Sequence, residues 1–250
     1  MNDKLEQIKT YSQYLKLGGI KQALDQIITQ AQKKQYSYIE FCLDLFEAEV
    51  KHRMDKDLQR RIKAARLPLN YNLDKYDFSY DNGLTKMQLN QLREVRWLEQ
   101  NYNLILMGPP GVGKTFIAAG LCYDAIVKGY KAYFRSIEQI GTMLKMKEFT
   151  KTSENEYKRI IKAHLLVIDD IMLMALSKQE AVKLFYLIDQ LFEKASFIIT
   201  TNKNPQQWAK LIDDEVLTTA ILDRLLYRCE TIKLNGKSYR ILNRKSIFNS

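Results

Sequence analysis

The run Leu104-Ile105-Leu106-Met107-Gly108-Pro109-Pro110-Gly111-Val112-Gly113-Lys114-Thr115-Phe116-Ile117 constrains this chain more than any other stretch. Four apolar residues predict a buried strand, and the apolar positions after Lys114 predict a helix, with a glycine-rich turn between them. Gly108, Gly111 and Gly113 let successive N–H groups converge at the helix N-terminus, where the helix dipole favours an anion. The geometry suits a phosphate cradle running from Gly108 to Phe116. Lys114 supplies a point charge for β and γ oxygens, and the Thr115 hydroxyl is placed to ligate Mg²⁺. A plain glycine turn with a solvated lysine is the competing reading, and the flanking strand and helix speak against it.

Downstream, Leu165-Leu166-Val167-Ile168 reads as a central strand ending in Asp169-Asp170. Carboxylates at the carboxyl end of a buried strand sit where open α/β sheets bind ligands. Asp169 is expected to hold Mg²⁺ and Asp170 to polarise an attacking water, unless Asp170 only caps a turn. Phe197 to Thr201 is a further strand, and Asn202 either bonds the γ-phosphate or shapes the turn before Pro205. Four polar pairs spaced by three residues predict helix starts: Thr85 with Gln88, Ser136 with Gln139, Ser153 with Glu156, and Ser177 with Glu180. The first of these helices should run to about Gln100, and Gly129 should end the helix opened by Lys114. Strands alternating with helices predict a mostly parallel sheet covered on both faces across residues 101–250.

Before this core, Leu5, Ile8, Tyr11 and Leu15, then Ile20, Leu24 and Ile27, recur at helical spacing, with Gly18-Gly19 expected to break one helix from the next. A third helix carries Ile39, Leu43, Phe46, Val50, Met54, Leu58 and Ile62 on one face, which reads as core. Residues 1–66 are thus expected to form a small all-helical domain, and 67–100 a linker with a packing helix. The third helix ends in a basic run that includes Lys51, Arg53, Lys56, Arg60, Arg61 and Lys63. Such a run fits sequence-independent binding to duplex DNA by counterion release, or an ordinary solvated helix face. The net charge of +10 favours a polyanionic partner without naming it. Three scattered cysteines and two histidines outline neither a zinc site nor a disulfide framework, so reduced cytoplasm is the expected setting. No apolar run has the ~20 residues of a membrane span, and no membrane partner is expected.

Near the C-terminus, Arg224 follows Asp223 on a helical pattern, and Arg240 follows the turn Asn235-Gly236. A planar guanidinium matches the equatorial oxygens of a phosphoryl group in transfer. Arg224 is a candidate to act across a subunit boundary and Arg240 within its own chain, with solvated surface arginines as the alternative for each.

Together these residues resemble the AAA+ ATPases of the IstB/DnaC type, the IstB branch in particular. The loop Gly108–Thr115 is similar to Walker A, Leu165–Asp170 to Walker B and Thr200-Thr201-Asn202 to sensor 1. The Ala220–Leu226 box resembles the arginine-finger helix, and Gly236–Arg240 the sensor 2 position. Leu15–Ile20 and Ala64–Pro68 also resemble this branch, so the likeness spans nearly the whole chain. Two departures stand out. The second Walker B acid is Asp170 where many AAA+ enzymes have Glu, and the small residue usual two positions later is Met172. The resemblance implies a reduced helical lid, ATP and Mg²⁺ as ligands, and ATP hydrolysis at subunit interfaces. It further implies ATP-dependent oligomers on target DNA that recruit or stimulate a cognate transposase. A replicative helicase loader of the DnaC/DnaI type shares the same core and is the alternative it leaves open, as is a nucleotide switch with negligible turnover.

Overall fold

The computed structural model describes residues 2–171, 177–208, 214–242 and 244, so Met172 lies outside the described residues. The chain divides into two compact units, 1–60 and 61–250. In the first unit, α1 (Asn2–Tyr14) and α2 (Gly18–Lys34) pack together, and α3 (Tyr38–Ala65) carries the chain across the division.

Ile20, Leu24 and Ile27 are buried along α2 as the spacing predicts. The glycine pair, however, opens α2 instead of breaking the chain before it. The break falls at Lys16, whose φ is 59°. Gly19 is glycine for a different reason: a Cβ there would lie 2.5 Å from the Ala48 carbonyl oxygen and 2.6 Å from Glu49 Cα. That close approach lets the buried Glu49 carboxylate accept from the N–H groups of Gly19 (2.7 Å) and Ile20 (3.3 Å), capping α2 from a neighbouring helix. Burial opposes ionisation of Glu49, but Arg53 and these N–H groups hold its pKa below the usual range.

Most of the α3 stripe is not core, and only Leu58 and Ile62 in it are half-buried. Ile39 is 80% exposed, and Leu43, Phe46, Val50 and Met54 are exposed as well. At about 100° per residue, Ala48, Glu49 and His52, which meet α2, lie on the side of α3 nearly opposite that stripe. Spacing revealed an apolar face, but the unit packs the other one.

The second unit is built on a five-stranded parallel sheet: β1 (Asn103–Met107), β2 (Ala132–Ser136), β3 (Leu165–Asp169), β4 (Ser196–Thr201) and β5 (Cys229–Lys233). Their order is β2-β3-β4-β1-β5. Parallel strands require crossovers, which helices supply. In chain order the helices are α4 (Lys86–Arg93), α5 (Lys114–Val127), α6 (Ile137–Met146), α7 (Lys151–Ile160), α8 (Lys178–Leu191), the short α9 (Pro205–Trp208), α10 (Glu215–Leu226) and α11 (Tyr239–Leu242). Side chains alternate across the sheet. Ile105, Leu166, Ile168, Phe197 and Ile199 join one core with Ile140, Leu184, Ile188, Ile221 and Leu225 from α6, α8 and α10. The other face is covered by α5, where Ile117, Leu121, Cys122 and Ile126 are fully buried. Cys122 is thus sealed in the core and Cys229 half-buried, whereas Cys42 on α3 is exposed. Among the described residues, no helix is long and apolar enough to cross a membrane.

Three capping boxes form as expected, at Thr85/Gln88, Ser136/Gln139 and Ser177/Glu180. The fourth does not: Thr150 caps α7 by accepting from Ser153 N–H. Glu156 instead binds Arg135 (2.5 Å), which is 1% exposed, and Arg66 (2.5 Å). Arg135 also donates to the carbonyls of Ala64 (3.1 Å) and Ala65 (2.6 Å), the last residues of α3. The helix opened by Thr85 is also shorter than expected. It ends at Arg93, where Lys128 Nζ takes the carbonyls of Arg93 and Glu94, and a 3₁₀ turn covers Arg96–Gln100.

Removing one partner of a buried ion pair strands the other. Glu156→Gln is therefore expected to destabilise the protein by about 3–5 kcal/mol in urea unfolding. A loss below ~1 kcal/mol would show that Arg135 does not depend on this carboxylate.

Candidate nucleotide-binding site

The site assembles where β1, β4 and β3 end side by side. Gly108 N–H donates to the Thr201 carbonyl (3.1 Å), which directs the loop out of β1, and α5 begins at Lys114. Gly111 has φ +86°, and a Cβ on it would lie 2.1 Å from Ser238 Oγ. That contact comes from the C-terminal segment, whose Tyr239 N–H donates to the Gly111 carbonyl (3.0 Å). Leu234 likewise backs onto Gly108. From the other direction, Asn82 in the linker, 2% exposed, donates to the Val112 carbonyl (2.9 Å) and to Tyr76 Oη (2.7 Å). Asn235 N–H donates to the Asn82 carbonyl (2.9 Å), joining the two supports. Tyr76 also stacks on Phe116, with centroids 6.2 Å apart. Pro109 and Pro110 are exposed at the mouth of the loop, and Gly113 precedes the first turn of α5.

Lys114 is 6% exposed, and its ammonium donates to the carbonyls of Gly108 (2.7 Å) and Pro109 (2.9 Å). Burial pushes its pKa down, a shift opposed by Asp170 and Asp169 and aided by the positive charge of Arg240. Arg240, on α11, is exposed. Asp169 Oδ1 accepts from the hydroxyls of Thr115 (3.1 Å) and Thr200 (2.6 Å). Burial pushes its carboxyl pKa up, against the pull of those bonds and of Lys114. Asp170 has φ 52°, and its N–H donates to Thr200 Oγ1 (2.8 Å).

This donor set fits a magnesium nucleotide. Thr115 and Asp169 offer hard oxygens close together. Mg²⁺ characteristically takes one or two protein ligands and fills its shell with water and phosphate. Lys114 and the first turn of α5 face the place where the phosphates would lie.

The structure treats the remaining expected residues differently. Asn202 stands just beyond β4 and is exposed. Arg224, on α10, donates to Asp189 on α8 (2.7 Å) and lies over the Phe185 ring at 4.6 Å. In the basic run, Lys51, Lys56 and Lys63 are exposed. Arg53 pairs with Glu49 (2.7 Å) and Arg60 with Asp57. Arg61 donates to the Ile126 carbonyl at the end of α5 (3.0 Å). Sequence reasoning gave Asn82 no site role, and named Thr200 and Ser238 only as parts of the sensor 1-like and sensor 2-like stretches. The only local signals were the turn-forming Asn82-Gly83 and a hydroxyl at the end of an otherwise apolar strand.

A parallel sheet in this order, with a glycine loop after β1 and paired carboxylates at the end of β3, is the AAA+ P-loop nucleotide-binding fold. Within that class the chain belongs to the IstB-like ATP binding protein family, whose model matches residues 10–247. It is 44% identical over 245 residues to an insertion sequence IS21-like ATP-binding protein of Bacteroides fragilis, covering 98% of this chain and 93% of that one. It is 33% identical to the IS21 ATP-binding protein of Pseudomonas aeruginosa, over 92% of this chain and 87% of that one. Among solved structures, DnaI superposes with a TM-score of 0.56 at 21% identity, covering 69% of this chain and 93% of its own. The DnaC helicase loader does so with 0.52 at 24% identity, covering 68% and 98%. These two share the fold.

Asn82→Ala removes the amide that carries the Val112 carbonyl. Nucleotide affinity is expected to fall about tenfold, the equivalent of ~1.4 kcal/mol, in a fluorescent-nucleotide titration. Unchanged affinity would mean the loop holds its shape without the linker.

Proposed function

We propose that this protein is an ATP-hydrolysing transposition helper that assembles on duplex DNA and recruits or stimulates its cognate transposase. The observation that carries this reading is the Thr115–Asp169 pair, with Asp170 beside it, in a chain whose relatives belong to insertion sequences.

In this scheme Lys114 holds the β and γ oxygens, and Thr115 and Asp169 hold Mg²⁺. When bound there, the ion would supply positive charge against the phosphate oxygens. Asp170 orients and polarises the attacking water, one methylene shorter in reach than a glutamate. Asn202, exposed at the end of β4, monitors the γ-phosphate, and Arg240 steadies the phosphates within its own chain. Arg224 exchanges Asp189 for the triphosphate of an adjacent copy, which ties hydrolysis to assembly. Residues 1–66 serve assembly and DNA contact, with Lys51, Lys56 and Lys63 best placed for phosphates. Arg53, Arg60 and Arg61 must share their charge with the partners already described. Helicase loading is the weaker reading, because the loaders match in fold at 21–24% identity while the insertion-sequence relatives match at up to 44%.

With ATP and duplex DNA at low salt, gel filtration should give large assemblies that dissolve as salt rises; free monomer alone would refute the proposal. Replacing Lys51, Lys56 and Lys63 with glutamine should flatten the plot of log K against log salt by about 2–3. Arg224→Ala should lower turnover ~10³-fold while nucleotide binding stays within about twofold. Mixing it with Lys114→Ala subunits should restore part of the activity if the arginine acts in trans. Equal turnover in Arg224→Ala would remove the shared site.

A further inference from the structure

From the geometry around β4 we infer that Thr200 is the positioning residue for both acids of the site, a role that rests on the hydrolytic reading above. Thr200 is fully buried inside the sheet, and its hydroxyl is used in both directions. Asp170 N–H can only donate, so Thr200 Oγ1 accepts from it at 2.8 Å. The hydroxyl proton is then free for the Asp169 carboxylate, which it meets at 2.6 Å, the short distance of a charge-assisted bond. The Thr200 carbonyl takes a third bond, from Ile171 N–H (3.1 Å).

Each bond has a separate consequence. The bond to Asp169 fixes the rotation of a carboxylate whose Oδ1 also accepts from Thr115, the other expected Mg²⁺ ligand. Orientation of a ligand by a partner outside the coordination shell is worth about 10- to 100-fold in metal affinity or activity. The bond from Asp170 holds that residue at φ 52°, a left-handed conformation uncommon for a side-chain-bearing residue. That backbone setting aims the Asp170 carboxylate. Thr201, the next residue, spends its hydroxyl on the turn at Lys203, and Asn202 is exposed. Thr200 is therefore the residue through which β4 reaches the acids, and the metal-dependent part of nucleotide binding should depend on its hydroxyl.

The test compares wild type, Thr200→Val, which keeps the shape and removes the hydroxyl, and Thr200→Ser, which restores it. Calorimetric titration with a non-hydrolysable ATP analogue, with and without Mg²⁺, is paired with turnover and thermal unfolding. The expected result is metal-free affinity within twofold of wild type in both variants. The gain in affinity on adding Mg²⁺ and the kcat should each fall about 10- to 100-fold in Thr200→Val and return in Thr200→Ser. Wild-type values in Thr200→Val would overturn the assignment. So would equal losses with and without Mg²⁺ accompanied by a lowered Tm, since that marks a purely structural residue. If Thr200→Val does not fold, Thr200→Cys is judged by the same two criteria. A wild type that binds the analogue without turning ATP over would instead overturn the hydrolytic reading, and the metal-dependent arm would still decide the role of Thr200.

Discussion

The site depends on one carboxylate that answers to three parts of the chain. Asp169 ends β3, Thr200 reaches it from β4, and Thr115 reaches it from the first turn of α5. β1 and β3 are not neighbours, since β4 runs between them. The loop that follows β1 and the acids that follow β3 are therefore in register only because β4 is clamped to both. The parallel sheet supplies that clamp cheaply: its apolar side chains, each contributing about 1.5–3 kcal/mol on burial, fix the strands, and the polar ends are carried into place.

Around this centre the P-loop is held from two directions. The linker reaches Val112 through Asn82, the C-terminal segment reaches Gly111 through Ser238 and Tyr239, and Asn235 joins the supports to each other. A glycine loop has high conformational entropy when unsupported. Spending two remote segments on its carbonyls is a way to pre-organise it for phosphates before they arrive.

Sequence and structure agree wherever the determining contacts are local. Walker A is one continuous stretch, Asp169 is announced by the apolar strand before it, and three capping boxes close on partners three residues apart. The same pattern at Ser153 and Glu156 misleads because Glu156 answers to Arg135, far away along the chain. The apolar stripe of α3 misleads for a related reason. Periodicity identifies a face but says nothing of which face a neighbour needs, and Gly19 brings α2 against the opposite one. The roles of Asn82 and Ser238 are not legible in the sequence, because they act on a backbone carbonyl and a glycine in a loop 30 to more than 100 residues distant.

The unequal burial of the three cysteines has a practical side. Solvent exclusion pushes the Cys122 thiol well above the usual range and raises that of Cys229 to about 11, so neither readily yields the thiolate that alkylating reagents need. Cys42 is exposed on α3. The unaltered chain thus carries its own attachment point for a maleimide dye, beside the exposed apolar stripe, where emission would report whether anything binds that face.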